Sequence, residues 1–316
     1  MQTQPRTDIM PATVAILLAT YNGERYLADQ LDSFERQTWP HWKVWASDDG
    51  SQDATLALLR RYQQRWGAER LVILKGPSQG ASRNFLSMVH HPAIQADYYA
   101  YSDQDDIWED DKLHRAVAWL SGQQPALPAL YCTRTRLVDA QNNELGISPL
   151  FRRTPSFATA LMRNITGGNT MVFNQTLRRH LQQVPSETSL VIFDWWTYIV
   201  ATAIGGVVHF DPTPGVRYRQ HDGNLIGMSA NGPSLASRLR KLFTYELRHN
   251  GDLIIEGLET LRPQMPANTT RTLDLYAQAR RQWLLPRLIG FKRAGLHRLT
   301  ITGDLGLLAA AILNKL

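Results

Sequence analysis

The chain has 316 residues, of which 43% are hydrophobic and 20% charged, which excludes wholesale disorder and predicts one large α/β domain, alone or with a smaller appendage. Its single cysteine excludes a disulfide framework and a cysteine-based zinc site, and it favours a reducing compartment. No basic segment leads into an apolar run near the N-terminus and no run of about 18 apolar residues occurs, so neither an export signal nor a spanning helix is predicted.

The net charge of +6 is distributed unevenly along the chain. Residues 234–316 hold 13 lysines and arginines against 6 acidic residues, whereas residues 1–233 hold 21 against 22. This asymmetry indicates an acidic partner for the C-terminal part, either nucleic acid or anionic lipid.

Short apolar segments that end in polar loops alternate with helical patterns over the first hundred residues. The predicted strands are 14–18, 42–46, 71–74 and 97–101, and the helices between them are 26–34 and 54–66. Strands that alternate with helices form a parallel, doubly wound sheet. Ligands are therefore expected beyond the carboxyl ends of these strands, where the polar loops fall.

The later part of the chain has a less regular pattern. Its predicted elements are strands at 129–136, 169–173 and 206–210, a helix at 194–203, and loops at 212–215 and 222–224. From residue 234 onward, apolar positions recur at helical spacing beside basic ones. We therefore predict an α/β domain at residues 1–230 and a helical, basic region at residues 231–316.

The segment Asp103-Gln104-Asp105-Asp106 follows the fourth predicted strand. Carboxylates two residues apart in an irregular loop can direct their oxygens at one hard cation, and Mg²⁺ or Mn²⁺ in such a site shares its coordination shell with substrate phosphates. The segment predicts a metal site for a diphosphate substrate. The alternative is a solvated acidic turn before the next helix.

The segment Asp48-Asp49-Gly50-Ser51 follows the second predicted strand and, on its own, is typical of a simple turn. A carboxylate in this position can instead accept a hydrogen bond from a base N–H or a ribose hydroxyl. The loop at residues 20–24 is expected to lie beside it.

Together these segments resemble a known family. In order and spacing, ILLATYN (16–22), SDDGS (47–51), GASRN (80–84) and DQDD (103–106) resemble the family 2 inverting glycosyltransferases, most of all their bacterial rhamnosyltransferase branch. The resemblance covers residues 13–230. It implies a GT-A fold, which is a Rossmann-like α/β domain with a mainly parallel sheet, and a nucleotide-sugar donor.

The resemblance also implies roles for the matching residues. The implied donor-binding residues are Ala19, Thr20, Tyr21, Glu24, Asp49, Ser82, Asp103, Gln104 and His221. The implied metal ligands are Asp105, Asp103 and His221, with Asp105 the better ligand. The implied general base is Asp194, and the implied acceptor-binding residues are Gly167, Gly168, Trp195 and Trp196.

The residues themselves leave other interpretations open. Asp194 can be a helix N-cap, the two tryptophans core residues, and the glycine pair a tight bend before a strand. His221 can be an ordinary surface histidine. Arg217 and Arg219 can balance phosphate charge or be exposed strand residues.

An inverting displacement needs a base for the acceptor proton and a cation for the departing diphosphate. We therefore expect an enzyme that depends on Mn²⁺ or Mg²⁺. The resemblance implies transfer of L-rhamnose from dTDP-rhamnose to a lipid-linked saccharide in the synthesis of cell-surface polysaccharide, such as O-antigen or capsule. A family 2 enzyme with a UDP-sugar donor is the nearest alternative. A sugar-phosphate nucleotidyltransferase is another, although residues 20–25 lack the glycine-rich phosphate loop that it needs.

The C-terminal segment 287–316 combines Arg287, Lys292, Arg293 and Arg298 with the apolar stretch 305–313. Too short to span a bilayer, it is typical of a basic interfacial anchor. We expect a cytoplasmic protein that is peripheral to the inner face of the cell membrane. The alternative is a helix packed on the catalytic domain or in a dimer. Nucleic acid is not the expected partner, because no aromatic residues are interleaved in a basic platform.

Overall fold

The computed structural model describes residues 11–151, 154–165, 167–220 and 246–296. The strands are β1 Val14–Thr20, β2 Trp42–Asp48, β3 Leu71–Lys75, β4 Tyr98–Ser102, β5 Ile107–Trp108, β6 Ala129–Val138, β7 Glu144–Ile147, β8 Val172–Asn174 and β9 Val207–Arg219. The helices are α1 Leu27–Glu35, α2 Thr55–Trp66, α3 Ala81–His90, α4 Lys112–Ser121, α5 Phe157–Ala160, α6 Gln175–Leu181, α7 Phe193–Ala203, α8 Glu246–Glu259, α9 Ala267–Arg280 and α10 Leu284–Arg293. Short 3₁₀ helices cover Gly168–Thr170 and Arg262–Gln264.

The strands form one sheet in the order β3-β2-β1-β4-β8-β6-β9-β5, with β7 paired to β6 beyond this path. β1 pairs in parallel with β2 and β4, and β2 pairs in parallel with β3. All of β1 is buried, because alternate residues face two different hydrophobic cores. Helices α1, α2 and α4 contribute to one core, and α3 and α7 to the other. The predicted α/β architecture is confirmed.

The second half of the sheet is mixed. β8 runs antiparallel to β4 and β6, while β9 runs parallel to β6 and antiparallel to β5. The strand predicted at 169–173 begins only at Val172, because a 3₁₀ turn precedes it. This turn carries part of the site described below.

The loop predicted at residues 212–215 is wrong. β9 continues through this segment to Arg219, and its pairing with β6 shifts register between Asp211 and Val216. Proline lacks the N–H that a regular ladder needs, so Pro212 and Pro214 produce a bulge rather than the end of the strand. The strand therefore reaches the carboxylate loop after β4.

Helices α8, α9 and α10 pack on the catalytic part of the chain. Ile254, Leu273 and Phe291 belong to the same hydrophobic core as α7, and a Cβ added to Gly257 would lie 2.7 Å from the Trp196 ring. The predicted helical C-terminal region is thus present, whereas the predicted boundary near residue 230 and the helical pattern just after it lie outside the described residues. Within the described ranges, no helix has the length and apolar character needed to cross a bilayer.

Candidate active site

Three aspartates that the sequence placed in the site come together at the carboxyl edge of the sheet. Asp103 and Asp105 follow β4, and Asp194 lies in the first turn of α7. Burial, followed by the nearby carboxylates of Asp105 and Asp194, raises the pKa of Asp103 to about 8. The site therefore concentrates negative charge in a partly buried space, where it is costly unless a cation balances it.

Carboxylate oxygens of this kind suit a hard divalent cation. Among the residues that the structure describes, no group of three or more histidines, cysteines, aspartates and glutamates is arranged to hold an ion alone. Mg²⁺ and Mn²⁺ sites commonly complete their shells with water and substrate phosphate, so the pair Asp103 and Asp105 fits such an ion. His221, the third predicted ligand, lies outside the described residues.

Asp106, the last residue of the motif, is structural. Its side chain is buried, and its carboxylate accepts hydrogen bonds from the Asn169 amide at 2.5 Å and from the Arg219 main-chain N–H at 3.2 Å. These contacts fix the carboxylate loop to the 3₁₀ turn on one side and to the end of β9 on the other.

Both interpretations of Arg219 as a phosphate ligand or an exposed residue are wrong. The side chain is only 2% exposed. Its guanidinium donates to the Asp105 carbonyl at 3.0 Å and to the Asp29 carboxylate at 2.8 Å. Arg219 thus holds the main chain of a predicted metal ligand. Arg217 forms a salt bridge with Glu109 at 3.3 Å.

The environment of Asp194 suits a general base. It is 6% exposed, and its carboxylate accepts hydrogen bonds from the N–H groups of Gly168 at 3.0 Å and Trp195 at 2.6 Å. Burial raises its pKa to about 6, although these bonds and one from Asn164 oppose the shift. Such a carboxylate is ionised at neutral pH and is a stronger base than an ordinary aspartate. The N-cap interpretation is wrong, because Ile192 occupies the N-cap of α7.

The glycine pair lies against this base. A Cβ on Gly168 would come within 2.5 Å of the Phe193 ring and 3.2 Å of the Asp194 Cβ, so no larger residue fits without movement. A Cβ on Gly167 would lie 2.8 Å from the side-chain oxygen of Asn169. The pair therefore permits close approach to Asp194, while its contact with an acceptor stays a prediction.

The two tryptophans after Asp194 differ. Trp196 is fully buried in the core, so the acceptor role predicted for it is wrong. Its position one residue further along α7 turns it towards α8. Trp195 is partly buried, and its indole N–H donates to the Ala160 carbonyl at 2.7 Å. Acceptor contact by Trp195 stays a prediction.

Gln104 joins two loops of the site. Its amide accepts from the Tyr21 N–H and donates to the Tyr21 carbonyl, both at 2.9 Å. A Cβ on Gly23 would lie 2.1 Å from the Gln104 amide oxygen, so Gly23 makes room for this clamp. The Gln104 amide, which was predicted to bind the donor, is therefore engaged in hydrogen bonds within the protein. The Tyr21 ring is 56% exposed and remains a candidate to face a base.

Two further predicted donor ligands, Thr20 and Asp49, form hydrogen bonds that hold the loops after β1 and β2 in place. Thr20 is 2% exposed and donates its hydroxyl to Asp48 at 2.9 Å, so direct donor binding by its side chain is wrong. The Asp49 carboxylate accepts from the N–H groups of Ser78 and Gly80, each at 2.7 Å, and so orders the loop before α3. Asp49 keeps lone pairs for a ligand, and its donor role stays a prediction.

The three remaining residues that were predicted to bind the donor differ in what their side chains contact. The Ala19 side chain packs in the core, which leaves only its main chain for a ligand. The exposed Glu24 carboxylate accepts from the Ala54 N–H at 2.9 Å, at the start of α2, and its place beside the donor stays a prediction. Ser82, in the first turn of α3, accepts a long 3.4 Å bond from Phe193, which places it near Asp194. Its donor contact stays a prediction.

Two residues of the site were not anticipated. Burial and the carboxylates of Asp106, Asp103, Asp105 and Asp194 raise the pKa of Tyr218, so its hydroxyl faces the acidic cluster. Tyr218 lies on β9 between Arg217 and Arg219, and no local signal shows that its side chain lies near carboxylates from other elements.

Lys112 is the second unanticipated residue. The Lys112 side chain is fully buried, and its Nζ lies 3.2 Å from the Trp108 ring centroid. Burial lowers its pKa, while Asp106 and Asp103 oppose that shift. When protonated, Lys112 offsets part of the negative charge of Asp103 and Asp106, and nothing in the local sequence indicates this role.

Comparison with known proteins identifies the family. The family model described as "Glycosyl transferase family 2" matches residues 15–181, which is more than half of the chain. The chain is a family 2 glycosyltransferase.

The glycosyltransferase is 26% identical over 231 residues to the "dTDP-rhamnosyl transferase RfbG" of Shigella flexneri, a match that covers 70% of this chain and 78% of that protein. It is 29% identical over 213 residues to the "Uncharacterized protein Rv1520" of Mycobacterium tuberculosis, with 66% of this chain and 59% of that protein covered.

Solved structures share its architecture. S. aureus TarS 1–349 in complex with UDP-GlcNAc superposes with a TM-score of 0.53 at 14% identity, over 90% of this chain and 93% of that one. GalNAc-T7 with UDP, GalNAc and Mn²⁺ superposes with a TM-score of 0.51 at 12% identity, over 91% of this chain and 56% of that one. The expected GT-A fold is confirmed.

The environment of Asp194 predicts the pH dependence of transfer. Only the ionised carboxylate can take a proton, so kcat should fall about tenfold per pH unit below pH about 6 as Asp194 becomes protonated. Asp194→Asn should lower kcat at least about a hundredfold and remove this acid limb. Asp274→Asn, an exposed carboxylate on α9, is the matched control. A wild-type rate that is flat through pH about 6 would contradict this assignment.

The clamp between Gln104 and Tyr21 predicts an effect on donor binding. Gln104→Leu removes two hydrogen bonds, and we expect the Kd for nucleoside diphosphate to rise about tenfold in calorimetry. Gln95→Leu, which removes one exposed bond to Pro92, should leave the Kd unchanged. An unaltered Kd in Gln104→Leu would show that the first loop does not need this clamp.

Proposed function

We propose that this glycosyltransferase is an inverting, metal-dependent enzyme that transfers L-rhamnose from dTDP-rhamnose to a saccharide acceptor in the synthesis of a cell-surface polysaccharide. The observation that carries the proposal is the convergence of Asp103 and Asp105 with Asp194, whose burial raises its pKa to about 6. The similarity to a dTDP-rhamnosyl transferase supports the choice of donor.

In the proposed reaction, Asp194 takes the proton of an acceptor hydroxyl while that oxygen attacks the anomeric carbon from the side opposite the diphosphate. The new glycosidic bond forms as the bond from the anomeric carbon to the phosphate oxygen breaks, and dTDP leaves with both bonding electrons. The configuration is inverted because there is one displacement. Asp103 and Asp105 would hold a divalent cation, which supplies neutralising charge for the diphosphate. His221 is proposed to assist from the segment that follows β9.

The acceptor is proposed to enter beside Asp194, along Gly167, Gly168 and Trp195. The hydrogen bonds from the N–H groups of Gly168 and Trp195 to the Asp194 carboxylate place these residues next to the proposed base and support this direction. We propose that the acceptor is a lipid-linked saccharide and that the enzyme works at the inner face of the cell membrane. Residues 234–316 contain 13 basic and 6 acidic residues, and this positive charge supports contact with an anionic surface.

Product analysis tests the proposal. The enzyme is incubated with dTDP-L-rhamnose or UDP-GlcNAc and a bacterial lipid-linked saccharide extract, with Mn²⁺ or with EDTA. We expect acceptor-dependent release of dTDP that EDTA abolishes, and NMR should show an inverted anomeric configuration. Release of UDP instead would move the donor to the UDP-sugar alternative. Pyrophosphate as product would indicate nucleotidyl transfer and overturn the proposal, as would release that is insensitive to EDTA.

A further inference from the structure

An exposed apolar surface lies at the beginning of α10. It consists of Trp283, Leu284, Leu285 and Ile289, whose exposed fractions are 67%, 36%, 57% and 52%. We call these four residues the α10 patch. Large apolar side chains that are contiguous and exposed in this way commonly mark an interaction surface.

The α10 patch is not the face by which α10 packs on the protein. Arg287, Phe291 and Ala294 recur at helical spacing on the inner face and are buried. Leu285 and Ile289 recur at the same spacing on the outer face, where a helix on a protein surface normally carries polar residues. The helix is therefore already anchored, and its outer apolar residues remain available to a partner.

Cations surround the α10 patch. Arg281, Lys292 and Arg293 are all exposed. Between Asp274 and Asp304 the chain contains no acidic residue and six arginines and lysines. Arg287, which was expected to be one of the lipid-binding cations, is 5% exposed and donates to the Gln282 carbonyl at 2.5 Å, so it does not face the surface.

This combination fits an anionic bilayer better than a second copy of the chain. Two copies that met through the α10 patch would bring like charges together, whereas lipid phosphates attract them. A tryptophan beside aliphatic residues, with basic residues at the margin, is the composition of an interfacial helix.

We propose that the α10 patch inserts into the interface of an anionic membrane, with Arg281, Lys292 and Arg293 on lipid phosphates. The inference deepens the proposed function, because it names the surface through which the enzyme would reach a lipid-linked acceptor. It assigns the contact to a packed helix of the catalytic body rather than to the terminal residues 305–313 alone.

Vesicle flotation of the full chain tests the inference. Vesicles of phosphatidylcholine with phosphatidylglycerol are compared with vesicles of phosphatidylcholine alone. We expect binding to the anionic vesicles, lost in the triple variant Trp283→Ser, Leu285→Ser, Ile289→Ser. In Lys292→Glu, Arg293→Glu, binding should weaken by about fivefold or more for each cation removed. The matched control is Leu145→Ser, Ile147→Ser, which removes exposed apolar residues from β7 and should bind as the wild type does.

Equal vesicle binding by the wild type and the triple variant would overturn the inference, as would binding that does not depend on phosphatidylglycerol. A dimeric wild type together with a monomeric triple variant would assign the α10 patch to self-association, and this result would also overturn the inference. Calorimetry with dTDP on each variant keeps the two proposals separate. A variant that loses vesicle binding but still binds dTDP tests only the proposed membrane surface. Failure of the wild type to bind dTDP would count only against the proposed donor.

Discussion

Repulsion among carboxylates at one edge of the sheet is the constraint on which the rest of the site depends. Asp103, Asp105 and Asp106 follow β4, and Asp194 joins them from α7. Burial, followed by the nearby carboxylates of Asp105 and Asp194, raises the pKa of Asp103 to about 8, and burial raises that of Asp194 to about 6. Lys112 is buried beside these carboxylates and, when protonated, offsets only part of their charge. A divalent cation with a diphosphate is the kind of ligand that such a cluster can stabilise.

Much of the polar chemistry around the cluster holds loops in place rather than facing a ligand. Gln104 clamps the main chain of Tyr21, Asp49 orders the loop before α3, and Arg219 holds the Asp105 carbonyl. A site whose loops are fixed by the protein loses less entropy when the donor binds and keeps its charges in position for the transition state. β9 ends at Arg219, two residues before the predicted third ligand His221 in the sequence.

The parallel half of the fold was predictable because short apolar strands ended in polar loops, and the position of the candidate site was predictable because the loops after β2 and β4 are rich in aspartate. Local pattern could not show how far a side chain is buried. Trp195 and Trp196 are adjacent and identical in type, yet only Trp196 turns into the core formed with α8. Nor could it show that β9 passes through two prolines by a bulge, or that Tyr218, between Arg217 and Arg219, lies near carboxylates from other elements. Thr20 lies in the matched motif and Glu24 just after it, yet each side chain has a hydrogen-bond partner about 30 residues away, which local pattern does not indicate.

Titration of Mn²⁺ in the presence of dTDP, followed by electron paramagnetic resonance, separates the role proposed for Asp105 from that proposed for Asp194. We expect the wild type and Asp194→Asn to bind Mn²⁺ together with dTDP, whereas Asp105→Asn should lose at least about tenfold in Mn²⁺ affinity. Equal Mn²⁺ affinity in the wild type and Asp105→Asn, or equal losses in Asp105→Asn and Asp194→Asn, would contradict these proposed roles.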